Sequence, residues 1–237
     1  MTWSILARDE LGHFGMAIAS RFFAVGSLCV YSRRGVGAIS TQALMNPLYG
    51  PAGLDLLTDG EDAARTIRTL IDGDEGREQR QVHILPHTGA AAAHTGSACI
   101  DWCGHMSMEG LSIAGNMLAG PEVIQATADA YLSMHGRPMA ERLLGAMQAG
   151  EAAGGDKRGK QSAALKIHND EDYLQLDLRV DDHQEPLLEL RRLYEVSLER
   201  FQPFLSCLPG RGRPSGVTER EQIEATIEQF HTQRIKK

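Results

Sequence analysis

Apolar residues near the start of the chain come in short runs separated by polar, glycine-containing turns, the pattern of strands rather than helices. Residues 2–8 (TWSILAR) and 14–20 (FGMAIAS) read as an antiparallel hairpin closed by the turn-like stretch 10–13. Residues 27–32 and 35–41 read as a second strand pair, and the small-residue run GVGAIS suggests close packing on both faces. The pattern then becomes helical over 47–58 and 61–72, where Ala63, Ala64, Ile67, Leu70 and Ile71 share one face. Four short strands follow at 81–85, 91–95, 102–107 and 111–114, then helices over 121–135 and 138–150. Pro121 suits a first helical turn, and Gly150 is expected to end the second helix. A polar glycine loop at 154–161 leads into strands at 162–167 and 174–180, and one amphipathic helix is predicted over 182–204. Residues 209–216 (PGRGRPSG) read as a linker, and 217–235 as a peripheral helix.

Antiparallel strand pairs punctuated by helix pairs argue against a doubly wound parallel sheet, in which strand and helix would alternate. The order suits an α+β fold, a four-layer αββα sandwich of two antiparallel sheets covered by helices on both outer faces. The expected division is a main domain over 1–205 and a linker with a C-terminal helix over 206–237.

Composition narrows the function classes. The net charge of −7 disfavours a nucleic-acid partner, and the basic clusters at 157–160 and 211–213 lie among glycines. No apolar run reaches the length of a membrane span, and no secretory leader precedes the first strand. The expectation is a cytoplasmic protein whose four cysteines are free thiols. Cys99, Cys103 and His105, with His94 nearby, do not match common zinc spacings. The G-x-G-x-x-S at 35–40 lacks the third glycine and the helix of a dinucleotide site. Neither metal nor cofactor is expected.

A Thr at position 2 on the first strand, a hairpin ending in Ser20-Arg21, the sandwich order and the late glycine loop resemble the N-terminal-nucleophile (Ntn) hydrolases, such as proteasome β-subunits. Several strings are more closely similar to one bacterial family of uncharacterised function within that superfamily. They are TWSILARD at 2–9, AIASRFFAVG at 17–26, GVGAISTQ at 35–42, RQV at 80–82, GNMLAG at 115–120, AGEAAGGDKRGKQSAAL at 149–165 and RVDDH at 179–183. The similarity covers roughly residues 2–195. It implies the αββα fold and amide hydrolysis by an N-terminal nucleophile, and it implies no substrate. The chain departs from the proteasome pattern at Ala19, where that family carries Asp, and the usual lysine has no clear equivalent, although Arg33 and Arg34 lie near the expected strand.

Thr2 is the leading catalytic candidate. Removal of Met1, favoured by a small second residue, would expose an α-amine beside the hydroxyl, so that nucleophile and base share one residue. The competing reading is an ordinary strand threonine behind a retained methionine. Asn116 is the candidate oxyanion donor, weighed against a turn asparagine. Ser4, Ser20, Arg21 and Gln42 are expected to reach the substrate cleft, as are Asp156, Arg158, Gln161 and Ser162 of the glycine loop, whose amides could converge on an anion. Asp181, Asp182 and His183 read as a helix N-cap. These features point to hydrolysis of a small molecule or short peptide, with a non-catalytic ligand-binding or assembly protein as the rival. A homodimer is the expected assembly.

Overall fold

The computed structural model describes residues 2–235, which divide into two compact units on either side of the boundary between Leu190 and Arg191. In the first unit, β1 (Thr2–Arg8) and β2 (Phe14–Ser20) form the predicted hairpin. It sits at the centre of a six-stranded antiparallel sheet completed by β7 (Gly104–Met108), β8 (Leu111–Asn116), β9 (Ser162–His168) and β10 (Leu176–Val180), in the order β10-β9-β2-β1-β8-β7. A second antiparallel sheet contains β3 (Val30–Arg33), β4 (Gly37–Ala43), β5 (Arg80–Pro86) and β6 (Ala92–Thr95) in sequence order. Helices α1 (Tyr49–Thr58) and α2 (Ala63–Asp72) cover the smaller sheet, and α3 (Glu122–Ser133) and α4 (Met139–Ala152) cover the larger one. Strands β1 and β8 face β4 and β5 across the middle. The layers therefore run α, β, β, α.

Strand alternation sorts the core. The outward face of the smaller sheet places Ile39, Val82 and Ile84 against Leu54 and Ile67 of its helices. Between the sheets, Leu6, Phe14, Met16, Ile18, Ala38 and Leu85 form an apolar cluster. Beside that cluster, still between the sheets, runs a buried strip of polar side chains that includes Ser4, Gln42, Gln81, His83, Ser112 and Asn116.

Gly150 does not end α4, which continues to Ala152. A Cβ at Gly150 would lie 2.3 Å from Thr127 Oγ1 and 3.0 Å from Trp3 Nε1, so glycine lets the helix approach α3 and β1. The turn away from the helix is made by Gly154 and Gly155, both at positive φ (119° and 47°). The single helix expected over 182–204 is two, α5 (Pro186–Ser197) and α6 (Phe201–Leu205). The break is made by tight i to i−3 turns, Leu198 N–H to Glu195 O and Glu199 N–H to Val196 O. Asp181 and Asp182 do not cap α5, which begins at Pro186: Asp181 pairs with Arg179 at 2.8 Å, and Asp182 accepts from Gln161 Nε2. In the second unit, α6 packs with α7 (Arg220–Ile235), and Arg200 makes a bidentate pair with Glu224. No helix among the described residues is long and apolar enough to cross a membrane.

Candidate functional site

Thr2 is opposite Ser20 on β2 and opposite Asn116 on β8, and Ser20 is in turn opposite Ser162 on β9. Four polar residues thus occupy one row across the end of the six-stranded sheet. Thr2 Oγ1 lies 3.0 Å from Ser20 Oγ. A cavity of about 360 Å³ opens onto this row. Thr2, Ser20, Gln42 and Asn116 form a polar wall, Gln79 and Arg158 add polar groups elsewhere in the lining, and Val25, Cys29, Met45 and Met117 are among its apolar residues.

Behind the polar wall, hydrogen bonds connect the two sheets. Gln81 Oε1 accepts from Gln42 Nε2 (2.8 Å) and from Asn116 Nδ2 (3.0 Å). Gln81 Nε2 donates to Gly115 O (2.8 Å) and Thr95 Oγ1 (2.9 Å). Gln81 is therefore a hub that fixes both amide side chains of the cavity wall. The chain of bonds continues inward, because Ser4 Oγ donates to Gln42 Oε1 (2.7 Å) and touches His83 Nε2 (2.8 Å). With its proton committed to Gln42, Ser4 must accept from His83, so Nε2 carries the imidazole proton and Nδ1 is an acceptor. Ser112 Oγ, 2.9 Å away, donates to Nδ1 and in turn accepts from Ser107 Oγ at 3.2 Å. This direction requires a neutral imidazole. Complete burial provides it, pushing His83 down to about 3, with the charge of a protonated His105 acting the same way.

Titratable groups in the cavity are few. Among the described lining residues there is no His, Asp, Glu or Lys. Burial pushes the Cys29 thiol up to about 12 and raises that of Cys99, so both remain protonated at neutral pH. Arg158 is the one charged lining residue, and it pairs with the buried carboxylate of Asp156 at 3.3 Å.

Backbone strain gathers around the same cavity. Four non-glycine residues among those described have positive φ: Ala24, Ala43, Asp101 and Met117. Ala43 and Met117 line the cavity, Ala24 precedes the lining residue Val25, and Asp101 follows the lining residue Ile100. Such conformations cost on the order of 1–3 kcal/mol each and concentrate at functional sites.

Comparison with known proteins places the chain. Residues 2–190 match the model of a family of unknown function, DUF1028. The chain belongs to DUF1028. A DUF1028 protein of known structure, SPO2555 from Silicibacter pomeroyi, is 28% identical, with a TM-score of 0.85 over 92% of this chain and 96% of that one. The ancestral β-subunit Anbu from Yersinia bercovieri is 12% identical, with a TM-score of 0.43 over 83% of this chain and 94% of that one. Anbu from Hyphomicrobium sp. strain MC1 is 13% identical, with a TM-score of 0.45 over 83% and 94%. No curated protein sequence matches.

In this DUF1028 chain, five of the ten residues expected at the site, Thr2, Ser20, Gln42, Asn116 and Arg158, line one cavity. Ser4 is fully buried behind Gln42. Asp156 accepts the backbone N–H groups of Arg21 and Arg158, both at 2.8 Å, and so braces the end of β2. One loop amide, that of Arg158, thus binds the chain's own carboxylate, while those of Gly154, Gly155, Gly159 and Gln161 bond backbone carbonyls. Arg21 donates through Nη1 to Lys160 O and Gln161 through Nε2 to Asp182, both outside the cavity lining. Ser162 Oγ holds the turn after β2, donating to Phe22 O and accepting from Val25 N–H. Gln81, His83 and Ser112 had no place among the expected site residues. For Gln81 and His83 the signal was the alternation of β5, which puts them on one face and Val82 and Ile84 on the other.

Proposed function

We propose that this chain is an amide-bond hydrolase of the Ntn type, acting on a small molecule or short peptide, with Thr2 as the nucleophile after removal of Met1. Met1 lies outside the described residues. The reading is carried by the absence of His, Asp, Glu and Lys among the described lining residues of a cavity that has a hydroxyl on its wall. A hydroxyl nucleophile needs a base. His83 is neutral, barely basic, and bonded to Ser4 and Ser112 rather than to Thr2. The nitrogen that remains is Thr2's own.

As a free α-amine, that nitrogen has an ordinary pKa of about 7.7–8.0. The amine accepts the Thr2 hydroxyl proton as Oγ1 attacks the amide carbonyl. Asn116 commits one N–H to Gln81 and retains a second to donate to the oxyanion. The C–N bond breaks as the ammonium returns the proton to the leaving amine. Water, deprotonated by the amine, then attacks the ester; its C–O bond breaks, Oγ1 regains a proton and the acid departs.

The test is the intact mass of protein purified from its native host, joined to an amide screen. Loss of Met1, with turnover abolished in Thr2→Ala, is the expected result. A retained Met1 in active protein, or undiminished turnover by Thr2→Ala, would sink the proposal. A non-catalytic binding protein is the second reading, favoured by the same lack of a side-chain base should Met1 remain.

A further inference from the structure

We infer that the cavity beside Thr2 takes a neutral, apolar acyl chain, so that the substrates are N-acyl amides with an unbranched chain longer than acetyl. The proposed chemistry enters only in setting which end of the ligand meets Thr2. Most polar groups of the lining are segregated, the exceptions being Arg158 and the exposed Gln79. Thr2, Ser20, Gln42 and Asn116 lie together at the sheet end, where they would meet an amide group. The remaining wall includes Val25, Cys29, Met45, Ala98 and Met117, and both thiols are protonated. A charged or polyhydroxylated acyl group would lose its hydration against that wall and find few partners in return. The guanidinium of Arg158 does not alter this, since Asp156 matches its charge. Methionines at 45 and 117 adapt to a flexible chain.

The mouth extends the apolar wall. Phe22, Leu44 and Ile100 line the cavity yet are 52%, 61% and 62% exposed. They come from three separate segments: the turn after β2, the turn after β4 and the loop between β6 and β7. Of the twelve large apolar side chains exposed among the described residues, Phe22, Phe23, Leu28, Leu44, Leu48 and Ile100 lie in those three segments. Three of the twelve, Phe22, Leu44 and Ile100, line the cavity itself and three more lie in the same segments, so the entrance offers exposed apolar surface, as a site for an apolar ligand requires.

The experiment uses full-length Thr2→Ala protein, which separates binding from turnover. Calorimetry is run on a series of N-acyl anilides from acetyl to octanoyl, with succinyl as the charged comparison. Affinity is expected to rise about fourfold per methylene until the chain fills the cavity, and the succinyl compound to bind more weakly than butanoyl. Leu44→Asp and Ile100→Asp, both at exposed positions, are each expected to weaken octanoyl binding at least tenfold and to weaken the acetyl compound by a clearly smaller factor. A flat series, or preference for succinyl, overturns the inference. So does an outcome in which the two Asp variants dissociate an oligomer in sedimentation and leave the series unaltered, since the rim would then be a subunit contact. In Met1-processed wild-type protein, a rising series without turnover removes the hydrolase reading and keeps the acyl site. Turnover without chain-length dependence does the reverse.

Discussion

His83 should make the fold acid-sensitive in a way that one substitution removes. The imidazole is completely buried, and its bonds to Ser4 and Ser112 require the neutral form. Its pKa is about 3 in the folded chain, against an ordinary value of 6.5. Below pH 6.5 the unfolded chain therefore binds a proton that the folded chain refuses. Folding stability decreases as the pH is lowered wherever the unfolded state holds more protons, by about 1.4 kcal/mol per pH unit for one proton. The loss begins near pH 6.5 and ends near pH 3, where the folded chain protonates as well. Integrated from pH 7 to pH 4, it comes to about 3 kcal/mol. The assay is urea unfolding followed by tryptophan fluorescence, since Trp3 and Trp102 both belong to the first unit. His83→Gln keeps a donor and an acceptor but cannot be protonated, so it should be less stable than wild type at pH 7, with a shallower pH dependence. The wild-type-minus-variant difference should shrink by about 3 kcal/mol between pH 7 and pH 4. His105 and His168, whose pKa values are also lowered by burial, remain in both proteins and cancel in the difference. Parallel curves would show that His83 either is not buried neutral or does not bridge Ser4 and Ser112.

Gln81→Leu leaves the buried amides of Asn116 and Gln42 without their shared acceptor, so unfolding free energy should drop by about 2–6 kcal/mol, at roughly 1–3 per orphaned group; a loss below that range in urea titration would mean the hub is not formed. Gly150→Ala sets a better helix former, worth about 1 kcal/mol, against contacts at 2.3 and 3.0 Å that typically cost about 1–3 kcal/mol. Net destabilisation is expected, and a raised melting temperature would contradict the close approach of α4 to Thr127 and Trp3. Ala43→Gly should stabilise the fold by about 1 kcal/mol by relieving a φ of +67°, and an unchanged or lowered melting temperature would count against the strain.

Much of the architecture is legible in the sequence because it depends on local periodicity. The hairpin Thr2–Arg8 with Phe14–Ser20 and the helix pairs follow from short apolar runs, turn residues and helical spacing. The errors arise where one residue type serves two purposes. Gly150 looks like a helix terminator, yet it is a contact point inside α4, and only the position of Trp3 reveals this. Asp156 and Ser162 look like ligand-binding groups, but their oxygens bond the backbone just beyond β2, more than 130 residues earlier in the chain. The buried network has the same long-range character. Gln81 and His83 could be placed on one face of β5 from alternation alone, whereas their partners Ser4, Gln42, Ser112 and Asn116 lie on three other strands. Nothing local signals that these polar faces meet each other rather than solvent.

Where the fold concentrates its costs is informative apart from any role for Thr2. The layer between the sheets is apolar around Leu6, Phe14 and Leu85, and the same backbone could carry aliphatic side chains at Ser4, Gln42, Gln81 and His83. Replacing satisfied polar groups with apolar ones of similar shape is often neutral or stabilising, so stability alone does not call for the network. Nor does it call for four non-glycine residues with left-handed backbone, at on the order of 1–3 kcal/mol each. Both features meet at the cavity, where Gln81 holds Gln42 and Asn116, and where Ala43 and Met117 shape the wall. What the network provides that an apolar core would not is orientation: two amide side chains fixed at the end of a row containing Thr2 and Ser20. A solvated surface loop would leave those amides free to rotate, and a donor must be fixed in advance to act on charge that develops only during a reaction. The network and the strain are thus what a preorganised neutral site requires, and both lie against the cavity beside Thr2.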